Sequence, residues 1–130
     1  MSAAVRLDHS AIEMLAEMDM DGAPDLVPAV ISIFLETTPA ILERLKQSVL
    51  SGDLRTLQRA SHDLKSSSAT LGARLMSVRC ARLEAIGRSG LASETKEAVA
   101  GIIAEFHAVR PMLEAFLPAG AVRRLTAEPV

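Results

Sequence analysis

The pattern of hydrophobic and polar positions along the 130-residue chain is helical almost throughout. Apolar residues recur at every third or fourth position, which is the spacing that lines one face of an α-helix. Glycine, proline and cap residues interrupt this pattern and divide the chain into one short and four long amphipathic segments. Four long helices joined by short loops predict an all-α fold: an antiparallel four-helix bundle with a short extra helix at its N-terminus.

The short first helix is expected from about Ser10 to Met18. Ser10 and Glu13 fit a capping box, in which each side chain bonds a free backbone amide at the helix start. Asp8 is an alternative cap two residues earlier. The sequence that follows, DMDGAP (19–24), contains glycine and proline and therefore predicts a loop.

The four long helices are delimited by similar signals. Pro39 interrupts the first of them, but the apolar stripe keeps its phase on both sides, which predicts one kinked helix rather than two. Gly72 stands where a glycine ends a helix, and Ser93 is expected to cap the last one. The expected ranges run from between Pro24 and Pro28 to about 50, and over 54–71, 73–88 and 93–117. We expect one domain over 1–118 and a loose tail over 119–130.

Composition and charge argue against several classes of function. The chain is 49% hydrophobic but only 2% aromatic, and its net charge is -2, so neither a nucleic-acid surface nor base-stacking platforms are indicated. The single cysteine, Cys80, is expected in the core, and His107 is expected to be half-buried beside the last apolar stripe. No apolar run reaches about 18 residues, and the N-terminus lacks a signal-peptide core. We therefore expect a monomeric, cytoplasmic protein without membrane contact.

The stretch ASHDLKSSSATLGA (60–73) places an unusual set of polar residues on the third long helix. At about 100° per residue, Leu57 and Leu64 lie opposite His62, so His62 points away from the core. Ser67 and Ser68 point sideways or inward and are expected to bond backbone carbonyls or a neighbouring helix. The residues expected within about 60° of His62 are Arg55, Gln58, Arg59, Lys65, Ser66 and Ala69.

This placement excludes a hydrolase triad and disfavours a metal site in the stretch. Ser61, His62 and Asp63 are adjacent, so their side chains diverge by about 100° each and cannot form a hydrolase triad. A helical metal site needs a second ligand three or four residues on, and those positions hold Lys65 and Ser66. No metal is therefore expected, and the chain has no glycine-rich phosphate loop or kinase signature for ATP.

Two interpretations of His62 remain open from the residues alone. The ordinary one is a solvated histidine on a charged face, since exposed charge is the default at a protein surface. The other is a nucleophile, because a neutral imidazole nitrogen attacks well near pH 7. The cations Arg55, Arg59 and Lys65 would then stabilise a transferred phosphoryl group. The small side chains beside His62 leave room for a bulky partner.

The stretch HDLKSSSATLGA (62–73) resembles the signature of histidine-containing phosphotransfer (HPt) domains, H-x-L-K-G-S-S-x-x-L-G-A. The matching positions are His62, Leu64, Lys65, Ser67, Ser68, Leu71, Gly72 and Ala73. FLETTPAILERLKQSVLSGDLRTLQRASH (34–62) and CARLEAIGRSG (80–90) are similar to the family's flanking helices, and the resemblance covers about 7–117. Ser66 departs from the family pattern, which usually has glycine there, under the approaching partner.

The resemblance implies a phosphorelay intermediate that shuttles a phosphoryl group between receiver-domain aspartates through His62, with Lys65 assisting the transfer. It implies no cofactor and no kinase activity, and Mg²⁺ would belong to the partner receiver. The domain could be free-standing or the C-terminal part of a hybrid sensor kinase. The alternative is a helical docking module that binds receivers without phosphotransfer.

The resemblance also implies an orienting residue on the next helix, at Glu84. A carboxylate there would hold the Nδ1–H group of His62 and leave Nε2 free to attack. The alternative is an ordinary pair between Glu84 and Arg88 four residues on.

A further implication of the resemblance is that the first helix helps to form the docking face. That helix carries more apolar side chains than one small helix can bury on a single side, namely Ile12, Met14, Leu15 and Met18. Methionine suits a surface that accepts more than one partner. We expect at least one of Met14 and Met18 to stay exposed on the His62 side and to contact the receiver.

Overall fold

The computed structural model describes residues 6–18, 26–90 and 92–118, and within these ranges every regular element is helical. The helices are α1 (His9–Glu17), α2 (Leu26–Ser51), α3 (Leu54–Thr70), α4 (Arg74–Ser89) and α5 (Thr95–Glu114), with a single 3₁₀ turn (Ala92–Glu94) before α5. The expected tail over 119–130 lies outside the described residues. The predicted all-α fold of four long helices and one short one is confirmed.

The four long helices surround one core in the order α2, α3, α4, α5, and α3 and α4 pack together most extensively. Tight turns join consecutive long helices, so neighbours run antiparallel. The short helix α1 packs on α2 and α3. The largest fully buried side chains of this core are Phe106, Ile31, Leu35, Leu45, Leu57, Leu64, Leu71, Met76, Leu83, Ile102, Leu113 and Val109.

Helix α2 is continuous through Pro39. It is long and apolar enough to cross a membrane by length and composition alone. Its buried side chains lie on one face, which packs against the rest of the bundle: Ile31, Phe34, Leu35, Thr38, Leu42, Leu45 and Ser48. The core of the bundle therefore accounts for the apolar residues on one face of α2, whereas Ile33 and Leu50 remain exposed.

The start of α1 distinguishes between the two candidate caps. Asp8 is the N-cap, and its Oδ1 accepts from the backbone amide of Ser10 at 3.0 Å and from the Ser10 hydroxyl at 2.6 Å. These hydrogen bonds lower the pKa of the Asp8 carboxyl, and Arg74 nearby acts in the same direction. The Ser10–Glu13 capping box is therefore not used, because the helix already begins at His9.

The prediction that Ser93 caps the last helix was wrong. Ser93 lies inside the 3₁₀ turn, and α5 begins at Thr95 without a side-chain cap at its start. The Thr95 hydroxyl instead donates to the carbonyl oxygen of Ala92 at 2.8 Å. The 3₁₀ turn satisfies the backbone locally, so a separate serine cap is not required.

Gly72 ends α3 and also brings α1 onto the bundle. Its φ of +77° is in the left-handed region, and a Cβ added there would collide with the carbonyl oxygen of Asp8. The amide of Asp8 donates to the Gly72 carbonyl at 2.7 Å, and Arg74 Nε lies 3.0 Å from Asp8 Oδ2. The absence of a side chain at Gly72 thus allows the N-terminus of α1 to touch the turn between α3 and α4.

The serines of α3 bond the helix's own carbonyls. Ser61 and Ser68 are fully buried, and their hydroxyls donate to the carbonyls of Leu57 (2.8 Å) and Leu64 (2.7 Å). Ser67 donates to the Leu64 carbonyl at 3.3 Å, as predicted. The bonds of Ser61 and Ser68 let small polar side chains enter a tightly packed interface without an unsatisfied hydroxyl, whereas the Ser67 side chain is exposed.

Two other predictions at single residues had different outcomes. Cys80 is fully buried, as expected, and burial raises the pKa of its thiol to about 12. His107, expected to be half-buried, is exposed instead. It follows the fully buried Phe106, with the two ring centroids 5.9 Å apart, and one step along a helix rotates a side chain by about 100°, here to the solvent side.

Candidate functional site

His62 stands on the outward face of α3, with 56% of its side chain exposed. Leu57 and Leu64 on the opposite face are fully buried, and they fix the rotation of the helix about its own axis. The burial of the leucine face is therefore what presents the imidazole to solvent. This placement agrees with the helical wheel.

Glu84 on α4 is the buried partner of this site, with only 7% of the residue exposed. Its Oε2 lies 2.9 Å from His62 Nδ1 and 3.2 Å from Arg88 Nη2. Its Oε1 accepts from Lys65 Nζ at 2.7 Å. One carboxylate thus receives three side-chain donors from two helices, so both roles considered for Glu84, beside His62 and beside Arg88, occur together in the geometry.

The charge state of Glu84 determines which nitrogen of His62 is free. The hydrogen bond from Lys65, aided by the one from His62, lowers the pKa of the Glu84 carboxyl although burial opposes this. An ionised carboxylate can only accept, so Nδ1 of His62 must carry the proton that is donated. In the neutral ring the lone pair is then on Nε2, on the far side of the ring from Glu84.

The close approach of α3 and α4 brings Glu84 to His62. Gly87 lies one turn after Glu84, and a Cβ added there would come within 3.3 Å of the Gln58 Cβ atom. Farther along the same interface the Ser77 hydroxyl donates to the carbonyl of Lys65 at 3.1 Å. Small residues on α4 therefore let its backbone lie close to the histidine helix.

A depression opens beside His62, toward the N-terminal end of α3. Its lining residues are Arg55, Gln58, Arg59, His62 and Glu84. Ser66 and Ala69, also expected near His62, are exposed on the C-terminal side, whereas Lys65 is turned toward Glu84 with 33% of its side chain exposed. The six residues placed around His62 by the wheel are therefore divided between two sides of the ring.

A second depression lies between α1 and the turn that joins α3 to α4. Met14 and Ala69 line it together with Val78 of α4. Met14 is 66% exposed and Met18 is 71% exposed. Because Ala69 is two turns from His62 on the same face of α3, this apolar area adjoins the site, about 10 Å along the helix.

A family model for the Hpt domain matches residues 29–117. This chain belongs to the Hpt domain family. Multistep phosphorelay regulator 1 of Schizosaccharomyces pombe is 31% identical over 81 residues, which is 62% of this chain but only 28% of that protein. The crystal structure of histidine-containing phosphotransfer protein B (HptB) from Pseudomonas aeruginosa PAO1 has the same fold, with a TM-score of 0.78 and 22% identity over 98% of this chain and 100% of that one.

Sequence reasoning missed three features of this Hpt domain. The first is the ion pair of Lys65 with Glu84, since Lys65 was expected to face a phosphoryl group directly. The second is Val78, which is 64% exposed and follows no apolar stripe that would have singled it out. The third is Gly87, whose small size in the sequence AIGRSG could have indicated a close helix contact.

The described residues of the Hpt domain contain no group of three or more His, Cys, Asp or Glu that could hold a metal ion. The arrangement at His62 offers instead a nucleophilic nitrogen, a buried base partner and several cations. These groups suit the reversible transfer of an anionic group to nitrogen.

Proposed function

We propose that this Hpt domain is a histidine phosphotransfer intermediate of a phosphorelay, which takes a phosphoryl group from the aspartate of one receiver domain and passes it to another through His62. Membership of the Hpt family supports a phosphocarrier without kinase activity of its own. The observation that carries the assignment to His62 is its contact with Glu84, which leaves Nε2 free on an exposed ring.

In the loading step, the lone pair on Nε2 of His62 attacks the phosphorus of the receiver's aspartyl phosphate. The Nε2–P bond forms as the bond from phosphorus to the aspartate oxygen breaks, and the electron pair leaves with the aspartate carboxylate. The proton on Nδ1 stays in place, so the phosphorylated ring is a cation next to ionised Glu84. That ion pair stabilises the intermediate.

The unloading step uses the same contact in reverse. Because Nδ1 keeps its proton, the ring leaves phosphorus as a neutral imidazole. Without that proton it would have to leave as an imidazolate anion, and the anion is a far poorer leaving group. Glu84 therefore assists transfer in both directions. This symmetry is what a carrier needs, since the group must be accepted and released at the same nitrogen.

The partners we propose are receiver domains, either free or within a hybrid sensor kinase, in the cytoplasm. Mg²⁺ belongs to the receiver in this scheme, and the Hpt domain acts as a monomer without a cofactor. Arg88 holds Glu84 Oε2 while Lys65 holds Oε1, and together they keep the carboxylate fixed beside the ring. Lys65 acts on the reaction through the same carboxylate.

The deciding experiment compares His62→Gln with His107→Gln, a change at an exposed histidine of α5. Both variants should fold normally, because neither side chain is in the core. A phosphorylated receiver should transfer its label to wild type and to His107→Gln but not to His62→Gln. The label should be lost in acid and kept in base, as expected for a phosphoramidate.

Two outcomes would contradict the proposal. Label that persists in His62→Gln, or that survives acid, would place the phosphoryl group on another residue. A wild-type domain that binds the receiver but never takes its label would favour the alternative of a docking module without phosphotransfer.

A further inference from the structure

The depression on the N-terminal side of His62, here called the notch, is formed by Arg55, Gln58 and Arg59 together with His62 and Glu84. Side chains on an α-helix tilt toward its N-terminus, so the imidazole leans from α3 toward the notch. Arg59 lies one turn before His62 and Arg55 two turns before it, on the same face. The notch therefore lies where a group bound to the outer nitrogen of the ring would project.

The cations around His62 are not equivalent. Lys65 lies one turn after His62, does not line the notch, and has its ammonium 2.7 Å from Glu84 Oε1. Among the described residues, neither Arg55 nor Arg59 forms an ion pair with a carboxylate. Their guanidinium groups are therefore available to an incoming anion, whereas the ammonium of Lys65 is already occupied.

We infer that the notch is the subsite for the phosphoryl group carried by His62, with Arg59, Arg55 and the Gln58 amide as donors to its oxygens. The inference rests on the proposed function and goes further, because it assigns phosphoryl binding to the arginine side and leaves Lys65 with the Glu84 carboxylate. A guanidinium presents paired N–H groups that match two phosphoryl oxygens, and a neighbouring amide adds a third donor.

A small phosphodonor can test the role of this subsite without any contribution from receiver docking. In phosphoramidate the P–N bond breaks as the Nε2–P bond of His62 forms, and ammonia leaves with the electron pair while Nδ1 keeps its proton. The rate of this reaction is followed by ³¹P NMR for wild type, for Arg55→Gln/Arg59→Gln, and for the control Arg79→Gln/Arg82→Gln. The control removes the same charge from exposed arginines on the far edge of α4, where they line a separate depression.

The notch variant should react with phosphoramidate at least about tenfold more slowly than wild type, the loss expected when a charge-assisted hydrogen bond to the phosphoryl group is removed. The control should stay within about twofold, since exposed charges at that distance are screened by salt. All variants should keep the wild-type melting temperature, because the substituted side chains are at the surface.

Three results would overturn the inference. Equal rates for the notch variant and the control would show that the arginines do not contact the phosphoryl group. A loss seen with a phosphorylated receiver but not with phosphoramidate would assign the arginines to docking instead. A wild-type domain that takes no label at His62 from either donor would overturn the proposed function itself, and the subsite with it.

Discussion

At the scale of single residues, the Glu84 carboxylate determines which nitrogen of the neutral His62 ring carries the proton. It is nearly buried, yet it stays ionised because three donors converge on its two oxygens. The pair with Arg88 and the contact with His62 were alternatives from the sequence, and the geometry shows that one carboxylate serves both. This carboxylate would therefore link the chemistry of the ring to the stability of the α3–α4 interface.

Glu84→Gln should reveal this link as a pH-dependent stability. The lowered pKa means that ionised Glu84 stabilises the fold above 4.5, its ordinary value, and that this contribution is lost as pH falls through the folded-state pKa. At pH 7 the variant should be less stable by about 1 kcal/mol, a modest figure because Lys65 and Arg88 can rehydrate.

Urea unfolding at several pH values measures the effect. The difference between wild type and Glu84→Gln should shrink as the pH is lowered below 4.5. Glu43→Gln, at an exposed carboxylate of α2, is the control and should show a much smaller difference. A gap for Glu84→Gln that stayed constant from pH 7 down to pH 3 would mean that folding does not lower the pKa of the Glu84 carboxyl.

At the scale of helices and turns, three glycines within the described ranges adopt positive φ, and they differ in what surrounds them. Gly52 and Gly90 have no neighbour within 4 Å of an added Cβ, whereas Gly72 lies against Asp8 and Ala11 of the α1 region. The turn after α3 therefore serves two purposes, since it reverses the chain and provides the surface on which the start of α1 packs.

Gly72→Ala should be clearly more destabilising than Gly90→Ala. Both variants place a Cβ in the left-handed region, which costs about 1 kcal/mol. Only the first also displaces the Asp8 backbone, so we expect a total loss of roughly 2–4 kcal/mol. Chemical denaturation of the two variants measures the difference, and equal losses would show that α1 contributes nothing at this turn.

Much of the arrangement of helices and turns could be predicted from the sequence. Most helix ends were located to within about two residues, because Asp53, Gly72 and Gly90 have local signatures. The end of α5 was expected three residues too late, at 117, whereas the helix ends at Glu114. The outward direction of His62 followed from the apolar face of its own helix. The ion pair of Lys65 with Glu84 could not be predicted in this way. The apolar pattern of α3 gives the direction of its own side chains, but it does not give the rotation of α4, which decides where Glu84 lies.

At the scale of the whole molecule, charge is divided unevenly. Residues 54–90 carry seven Lys or Arg and two Asp or Glu, whereas the rest of the chain carries seven and fourteen. One edge of the bundle is therefore strongly cationic although the net charge is only -2. This field would attract an acidic partner to the edge that holds His62, but salt screens it, so a stable complex also needs apolar contact.

Met14→Asp should remove that apolar contact. Met14 is exposed beside Ala69 and Val78, so the substitution should weaken binding of a receiver domain about tenfold or more while it leaves helicity and melting temperature nearly unchanged. Leu50→Asp is the matched control, because Leu50 is 80% exposed in an apolar groove between α2 and α5.

Calorimetric titration with a receiver that exchanges phosphoryl groups with His62 measures both variants. The control should bind as wild type does. If Met14→Asp bound equally well, or if Leu50→Asp weakened binding as much, the docking surface would lie elsewhere. Unfolding of Met14→Asp would instead show that this methionine supports the core.

The packing of α1 against the turn at Gly72 bears on how partner preference could change over evolution. The family match begins at residue 29, so it contains His62 and Glu84 but not α1. Ile12 and Leu15 anchor α1 in the core, while the exposed Met14 lines the depression next to Ala69. If a receiver docks on α1 as expected, changes in this nine-residue helix would alter receiver binding and leave the chemistry at His62 unchanged.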